Sequence, residues 1–424
     1  MALTEEGYLP RLVDGKIARY IKLFGALSIE GPKWCGKTWT ALNHANSVVY
    51  ILDPANEYAN REAARLNPAS ILEGRDPLLI DEWQEVPGIW DAVRFAADRT
   101  KQKGLFLLTG SATPRDSAFV HSGAGRIARI RMRSMSLFES GISQGSVSLQ
   151  QLFDGAATIP GTRSKLTQDT LIDLLIRGGW PGNIGVSGED AGILPQQYIE
   201  ALAGTDISHA DNKRRNPQLV LLLLAALARV TATPALNNTI TADIQARFGD
   251  ITRQTVSDYL SSLARLYVID EIPQWFPELR DKLRLRKTPK RILTDPSIAV
   301  SALKARAGDL KRDPRTLGAL FENLCLRDLL IYADAADAKL SHYRDGNGLE
   351  VDVILEQGTT WAALEIKLSA HRIEEGVRAL TRLSAKVQAK GAPPPAFLGV
   401  ITSGGPSYTR EDGIHIIPVD CLGP

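Results

Sequence analysis

The sequence predicts an α/β fold: a parallel-sheet unit built around an anion-binding loop, a mainly helical middle, and a second, C-terminal α/β unit. Three observations predict it. Short apolar runs at Ala26–Glu30, Val48–Leu52, Leu78–Ile80 and Leu105–Thr109 alternate with stretches long enough for crossover helices, the signature of a parallel sheet covered on both faces. From Leu166 to Ala235 the apolar spacing is helical, interrupted at Gly178, Gly179, Pro181 and Gly182. From residue 316 the pattern reads helix, strand, strand, helix, strand. The expected units are 1–140, 141–235, 236–315 and 316–424, with 141–165, rich in Gly, Ser and Thr, opening the second as a loop.

Composition narrows the function classes. The chain has 424 residues, 44% hydrophobic and 23% charged, which is ordinary for a globular protein of two or three domains. Net charge is +2, so any nucleic-acid surface must be local. Cys35, Cys325 and Cys421 lie far apart, which argues against a disulfide framework or a zinc site and fits a reducing cytosol. The N-terminus lacks a basic stretch followed by an apolar run, so no secretory signal is expected. The longest apolar run, Leu219–Leu227, falls short of the ~20 residues of a membrane span. A cytoplasmic protein without a membrane partner is expected.

The sharpest motif is Gly31-Pro32-Lys33-Trp34-Cys35-Gly36-Lys37-Thr38, a match to G-x-x-x-x-G-K-[ST]. It follows a strand candidate and precedes a helical stretch, Trp39–His44. Its glycines allow the main chain to curl its N–H groups around a phosphate. Lys37 reaches the β- and γ-phosphates, and the Thr38 hydroxyl is a Mg²⁺ ligand. The bland alternative is a glycine turn with an exposed lysine. Against it stands Leu78-Leu79-Ile80-Asp81-Glu82, an acidic pair at the C-terminal end of a buried strand, where ligands of parallel sheets sit. Asp81 suits the Mg²⁺ shell, and Glu82 suits orienting the attacking water. ATP with Mg²⁺ is the expected ligand, since no guanine-reading N-K-x-D pattern occurs. The strand ending in Thr109-Gly110-Ser111 offers hydroxyls beside a γ-phosphate, or simply ends in turn residues. Arg126, after a glycine pair, is a candidate for transition-state charge neutralisation, from its own subunit or a neighbour's. Arg129, Arg131 and Arg133 alternate with apolar residues and read as a strand's solvent face.

These segments together resemble a family of uncharacterised prokaryotic AAA-type ATP-binding proteins. GPKWCGKT, LLIDEWQEVPGIWDAVR, LTGSA, Gly125-Arg126 and RMRSMSLFE carry the resemblance in the first unit. TADIQARFGDITRQTVSDYLSSL, KTPKRILTDPSIA, GALFENLCLRDL and YRDGNGLEVDVILEQ with WAALEIK carry it through the rest. The resemblance places the phosphate-loop lysine and hydroxyl on Lys37 and Thr38, and the acidic pair on Asp81 and Glu82. It departs from the family at Lys33, where arginine is common, and at Trp34-Cys35, with Cys35 read as a small filler. It implies an ATPase that assembles as an oligomer when a neighbour supplies the arginine.

The middle reads as helix, turn, helix from Ile244 to Leu263, with Thr252 as cap and Val256, Tyr259, Leu260 and Leu263 as the core stripe. Arg253, Gln254 and Ser257 then face outward, as recognition-helix residues would. Arg280, Lys282, Arg284 and Arg286 alternate as one face of a strand would, a wing-like phosphate contact. A winged-helix-like unit touching duplex DNA is one reading; a protein-contact module with a solvated basic strand is the other.

In the last unit Glu365 and Lys367 share a strand face, and Asp352 on a neighbouring strand can join them, with Glu322 on a helical stretch before. Two carboxylates and a lysine suit metal-assisted phosphodiester hydrolysis, or form a plain ion pair. The pattern resembles the PD-(D/E)xK nuclease core at Glu322, Asp352, Glu365 and Lys367. Three functions are therefore weighed: a Mg-dependent ATPase acting with nucleic acid, a nucleotide-dependent switch that recruits a protein partner, and an ATP-coupled nuclease.

Overall fold

The computed structural model describes residues 3–55, 57–113, 122–211, 213–278 and 289–424. Helix α1 (Val13–Ile21) leads to β1 (Ala26–Glu30), α2 (Lys37–Leu42), β2 (Ser47–Tyr50), α3 (Ala59–Leu66), β3 (Leu78–Asp81), α4 (Gly88–Thr100), β4 (Phe106–Gly110) and β5 (Ile127–Arg131). The strands form one sheet in the order β2-β3-β4-β1-β5, with every pairing parallel. Strands β1 and β4 are buried at every residue, so their sequences are continuous rather than alternating. The register sets Glu30 beside Gly110 and Arg131, and Asp81 beside Thr109. The phosphate loop and the acidic pair thereby leave the sheet at one edge.

Next come β6 (Val147–Ser148), α5 (Leu149–Phe153), α6 (Gln168–Arg177), α7 (Ile193–Ala201), α8 (Ile207–Asp211) and α9 (Pro217–Arg229). The long apolar run is α9, started by Pro217 at its first position and by Asn216, whose side chain accepts from the Gln218 and Leu219 N–H groups. Among the described residues no helix is long and apolar enough to cross a membrane. Helices α10 (Asn237–Phe248) and α11 (Arg253–Arg265) meet at Gly249, whose φ of 83° suits glycine. Thr252 caps α11 through the Thr255 N–H, and Val256, Tyr259, Leu260 and Leu263 are its buried stripe. An antiparallel ribbon follows, β7 (Ile269–Ile272) with β8 (Lys290–Leu293), and then α12 (Pro296–Leu303).

Helices α13 (Ala307–Arg312) and α14 (Pro314–Ala335) open the last unit, followed by β9 (Lys339–Arg344), β10 (Glu350–Gln357), β11 (Thr360–Lys367), α15 (Ile373–Gln388), β12 (Leu398–Thr402), β13 (Tyr408–Thr409), β14 (His415–Pro418) and β15 (Leu422–Gly423). Its sheet runs β13-β14-β12-β11-β10-β9. Strands β9, β10 and β11 form an antiparallel meander, with β12 and β14 added in parallel. Three strands precede α15 where the sequence suggested two. Strand β9 escapes an apolar reading because Ser341 and His342 are buried polar residues within it.

Two expected boundaries shift. Strand β6 pairs in parallel with β15, and Ser143 Oγ donates to the Leu422 carbonyl at 2.5 Å. The loop-rich stretch after residue 141 is therefore tied to the C-terminal end of the chain through a separate two-stranded sheet, while α12 packs on α6, α7 and α9 rather than closing the helix-turn-helix unit.

One buried charge joins the parts. Arg327 on α14, 1% exposed, sets its guanidinium 3.0 Å from Asp295 and 2.7 Å from Asp328. Asp295 also accepts from Ser134 Oγ at 2.6 Å and the Gly179 N–H at 2.9 Å. Asp328 accepts from the Leu137 N–H at 3.0 Å. Burial alone would raise the Asp295 carboxyl, yet Arg327 and these donors hold it below the usual range. A second link lies at the sheet edge. Arg131 and Arg133, expected on a solvent face, turn to Asp270 on β7 at 3.4 and 2.9 Å. The Arg131 guanidinium also lies over the Tyr267 ring, 4.3 Å from its centroid. Burial would lift Asp270, but Arg133 and Arg131 bring it down to about 2.

Arg327→Ala strands two buried carboxylates, so a loss of roughly 3–5 kcal/mol is expected in urea unfolding; a loss under about 1 kcal/mol would refute the hub. For Asp270 the folded pKa lies below the unfolded one, so its stabilisation is present above about pH 4 and fades as pH falls toward about 2. Asp270→Asn should therefore be about 2 kcal/mol less stable than the unmodified chain at pH 7, with the gap closing across that acid range. A gap that does not vary with pH would contradict this.

Candidate functional site

Strand β1 runs straight into Gly31. A Cβ there would lie 2.2 Å from the Met132 carbonyl oxygen, so only glycine fits against the strand exit. Trp34 and Gly36 take positive φ values of 64° and 95°, which curls the loop and turns its N–H groups toward one centre. Lys37 begins α2 and donates from Nζ to the Pro32 carbonyl at 2.8 Å, across the loop mouth. Cys35 is fully buried beneath the loop, in keeping with a filler. Lys33, at the edge of the cleft, pairs with Asp206 at 2.8 Å. Trp34 stands edge-on to Tyr198, with ring centroids 5.4 Å apart. A residue the sequence did not single out supports the loop from behind: Arg11 Nη1 donates to the Cys35 carbonyl at 2.8 Å, and its Nε pairs with Glu139 at 3.1 Å.

The acidic end of β3 closes on this loop. Asp81 Oδ1 accepts from Thr38 Oγ1 at 2.8 Å and from Thr109 Oγ1 at 2.5 Å. Burial raises the Asp81 carboxyl, although both hydroxyls pull it the other way. Two hard oxygen ligands, the Thr38 hydroxyl and the Asp81 carboxylate, thus meet at one point beside Lys37, a donor set that fits Mg²⁺. Glu82, at a left-handed φ of 58°, accepts from Ser111 Oγ at 3.0 Å and from Gln84 Nε2. A strained non-glycine backbone costs about 1–3 kcal/mol and is kept where surroundings demand it.

From Ser111 the network leaves the sheet. The Thr113 N–H donates to the Arg265 carbonyl at 3.0 Å, and its hydroxyl meets the Tyr267 hydroxyl at 2.5 Å. Tyr267 donates to Glu30, the residue before Gly31, at 2.9 Å. Beside the loop lies a cleft of 790 Å³, walled by Leu9, Trp39, Pro181 and Leu194 and floored by Lys37 and Thr38. Trp39 follows the motif on α2, while Leu9, Pro181 and Leu194 come from the N-terminal stretch and the connecting region, out of reach of the local motif.

Arg126 requires a correction. It precedes β5, whose first residue Ile127 pairs with Ala26 at the start of β1, whereas the phosphate loop follows the end of β1. At about 3.3 Å per residue the two lie roughly 15 Å apart along the sheet. Arg126 therefore does not serve the loop of its own chain; half exposed, it pairs with Asp98 at 2.5 Å.

In the middle unit Arg253 and Gln254 are exposed at the start of α11, Ser257 is half-buried, and Gln254 bonds Asp258 at 2.8 Å. Arg280, Lys282, Arg284 and Arg286 lie outside the described residues.

In the last unit Glu322, Asp352, Glu365 and Lys367 do meet. Lys367 Nζ bonds Glu365 and lies 3.8 Å from Asp352, while the Ile366 N–H donates to Asp352 at 2.9 Å. A residue absent from the sequence reading joins them: Lys290 of β8, 1% exposed, with Nζ 2.7 Å from Glu322 and 3.5 Å from Asp352. Burial, with the Asp352 charge, raises the Glu322 and Glu365 carboxyls. Burial works the same way on Asp352, but Lys290 and Lys367 hold it low. A divalent ion does not fit this set as it stands, since an ammonium already lies against two of the three carboxylates. Among the described residues no group of three His, Cys, Asp or Glu side chains is arranged to hold a metal.

Known proteins bear on the first unit most directly. Residues 24–140 match the family described as an AAA domain, while 168–309 and 317–422 match two domains of unknown function, DUF8612 and DUF4143. Uncharacterized proteins of Mycobacterium tuberculosis and Mycobacterium bovis are each 25% identical over 404 residues, 92% of this chain and 79% of theirs. Among solved structures, a Walker-type ATPase of Pyrococcus abyssi is 13% identical with a TM-score of 0.44, covering 71% of this chain and 97% of that one. AMPPCP-bound DnaA of Aquifex aeolicus is 13% identical with a TM-score of 0.28, covering 60% and 86%. The segment 24–140 matches the AAA-domain family and carries the phosphate-loop pattern of Gly31 to Thr38.

Proposed function

We propose that the chain is a Mg-dependent ATPase whose γ-phosphate chemistry takes place between the phosphate loop and the end of β3. The observation that carries this is the junction at Asp81, which gathers Thr38 from the loop and Thr109 from β4 at 2.8 and 2.5 Å. The loop N–H groups and Lys37 bind the phosphates, which requires Lys37 to release the Pro32 carbonyl. Thr38 and Asp81 would hold Mg²⁺, which supplies charge neutralisation at the phosphates when bound. Glu82, fixed by Ser111 and Gln84, positions the attacking water and takes its proton. Leu9, Trp39, Pro181 and Leu194 give the base an apolar berth at the other end of the cleft. Arg126, at the opposite sheet edge and half exposed, serves the nucleotide of a neighbouring copy, so turnover needs assembly.

Lys37→Ala should lose binding of a fluorescent ATP analogue. Glu82→Gln should keep that binding and lose about 10²–10⁴-fold in phosphate release; undiminished release removes Glu82 from the chemistry. For Arg126, mixing the inactive Arg126→Ala and Lys37→Ala chains should restore part of the turnover, because one contributes the loop and the other the arginine. Full activity of Arg126→Ala alone, or no recovery on mixing, would overturn action between subunits.

A further inference from the structure

We propose that the C-terminal acidic centre is filled by an internal cation, the Lys290 ammonium carried by β8, and stays closed to divalent metal while β8 holds its place. Helix α14 and strands β10 and β11 bring Glu322, Asp352 and Glu365 together, the donor types that would coordinate a hard cation. The position between Glu322 and Asp352 is taken by Lys290 Nζ, at 2.7 and 3.5 Å. Lys367 neutralises the other side through Glu365 and Asp352. Even with all three carboxylates ionised, the two ammoniums leave the cluster at most one negative charge, so the attraction for a divalent ion is largely spent inside the protein. His342 on β9 is fully buried with both ring nitrogens unpartnered, and it feels the charges of Lys290 and Asp352. A neutral imidazole next to a filled cation position satisfies neither nitrogen. With the ammonium gone, the same ring offers a nitrogen donor to an incoming metal.

The stopper is not a free side chain. Lys290 pairs in register with Ile272 of β7, and β7 carries Asp270, held by Arg131 and Arg133. Between those arginines sits Met132, whose carbonyl abuts Gly31 of the phosphate loop. Tyr267, just before β7, bonds Glu30 at the other end of the same contact. Lys290 is therefore delivered by a ribbon braced against the nucleotide-binding unit, and withdrawing it requires that ribbon to shift.

The test uses the full chain, nucleotide-free, in a Thr38→Ala background so that the phosphate loop contributes no ion. Mn²⁺ binding is read by electron paramagnetic resonance. The parent and Asp352→Asn should bind Mn²⁺ equally weakly. Lys290→Met should bind at least roughly tenfold more tightly, and adding Asp352→Asn should abolish the gain. Lys290→Gln, which keeps a neutral donor toward Glu322, should gain binding too and serves if the Met variant fails to fold. A parent whose Mn²⁺ binding falls in Asp352→Asn already admits the metal and overturns the proposal. So does a folded Lys290 variant, judged by circular dichroism, that gains nothing.

Discussion

The structure depends on a charge that cannot be left alone. Arg327 is fully enclosed, and an unpaired guanidinium in such a place would cost several kcal/mol. Its two carboxylates come from different parts of the chain, Asp328 from the same helix and Asp295 from the start of α12. Asp295 in turn draws in Ser134 and Gly179, and Asp328 draws in Leu137. The exit of the first sheet, the turn after α6, the ribbon and the long C-terminal helix thus meet at one point. Gly179 is needed there because a Cβ would lie 2.0 Å from the Met135 carbonyl. Polar groups buried this deeply specify one arrangement, since any other leaves them unsatisfied.

What could be read in advance divides along the line between local and distant contacts. The phosphate loop was legible because Gly31, Gly36, Lys37 and Thr38 act within one turn of chain, and the strand on either side of it shows in the apolar runs. Asp81 was legible because parallel strands end at a common edge. The placement of Arg126 was not, because it depends on which end of β5 lies beside which end of β1. Arg11 and Lys290 gave no signal at all: one lies 24 residues before the carbonyl it holds, the other 62 before the carboxylate it approaches. Nothing in their neighbourhoods marks an arginine or lysine as interior. Arg131 and Arg133 misled for the same reason, since alternation with apolar residues describes a face without saying what covers it.

The two candidate centres differ in how their carboxylates are treated. At the phosphate loop, Asp81 is met by hydroxyls, which leave its negative charge available to a cation. In the C-terminal unit, Glu322 and Glu365 are met by ammoniums, which consume it. Similar side chains in similar burial therefore have opposite prospects, decided by the charge of the partner rather than by the carboxylate itself.

The pairing of β6 with β15 joins residues 147–148 to 422–423. The last strand of the chain thus pairs, in a two-stranded sheet of its own, with a piece translated hundreds of residues earlier, which must wait, unpartnered, until that strand arrives. Cutting the molecule at the borders that the sequence suggests would separate that strand from its mate. Its working parts are braided in space and are not beads along a string.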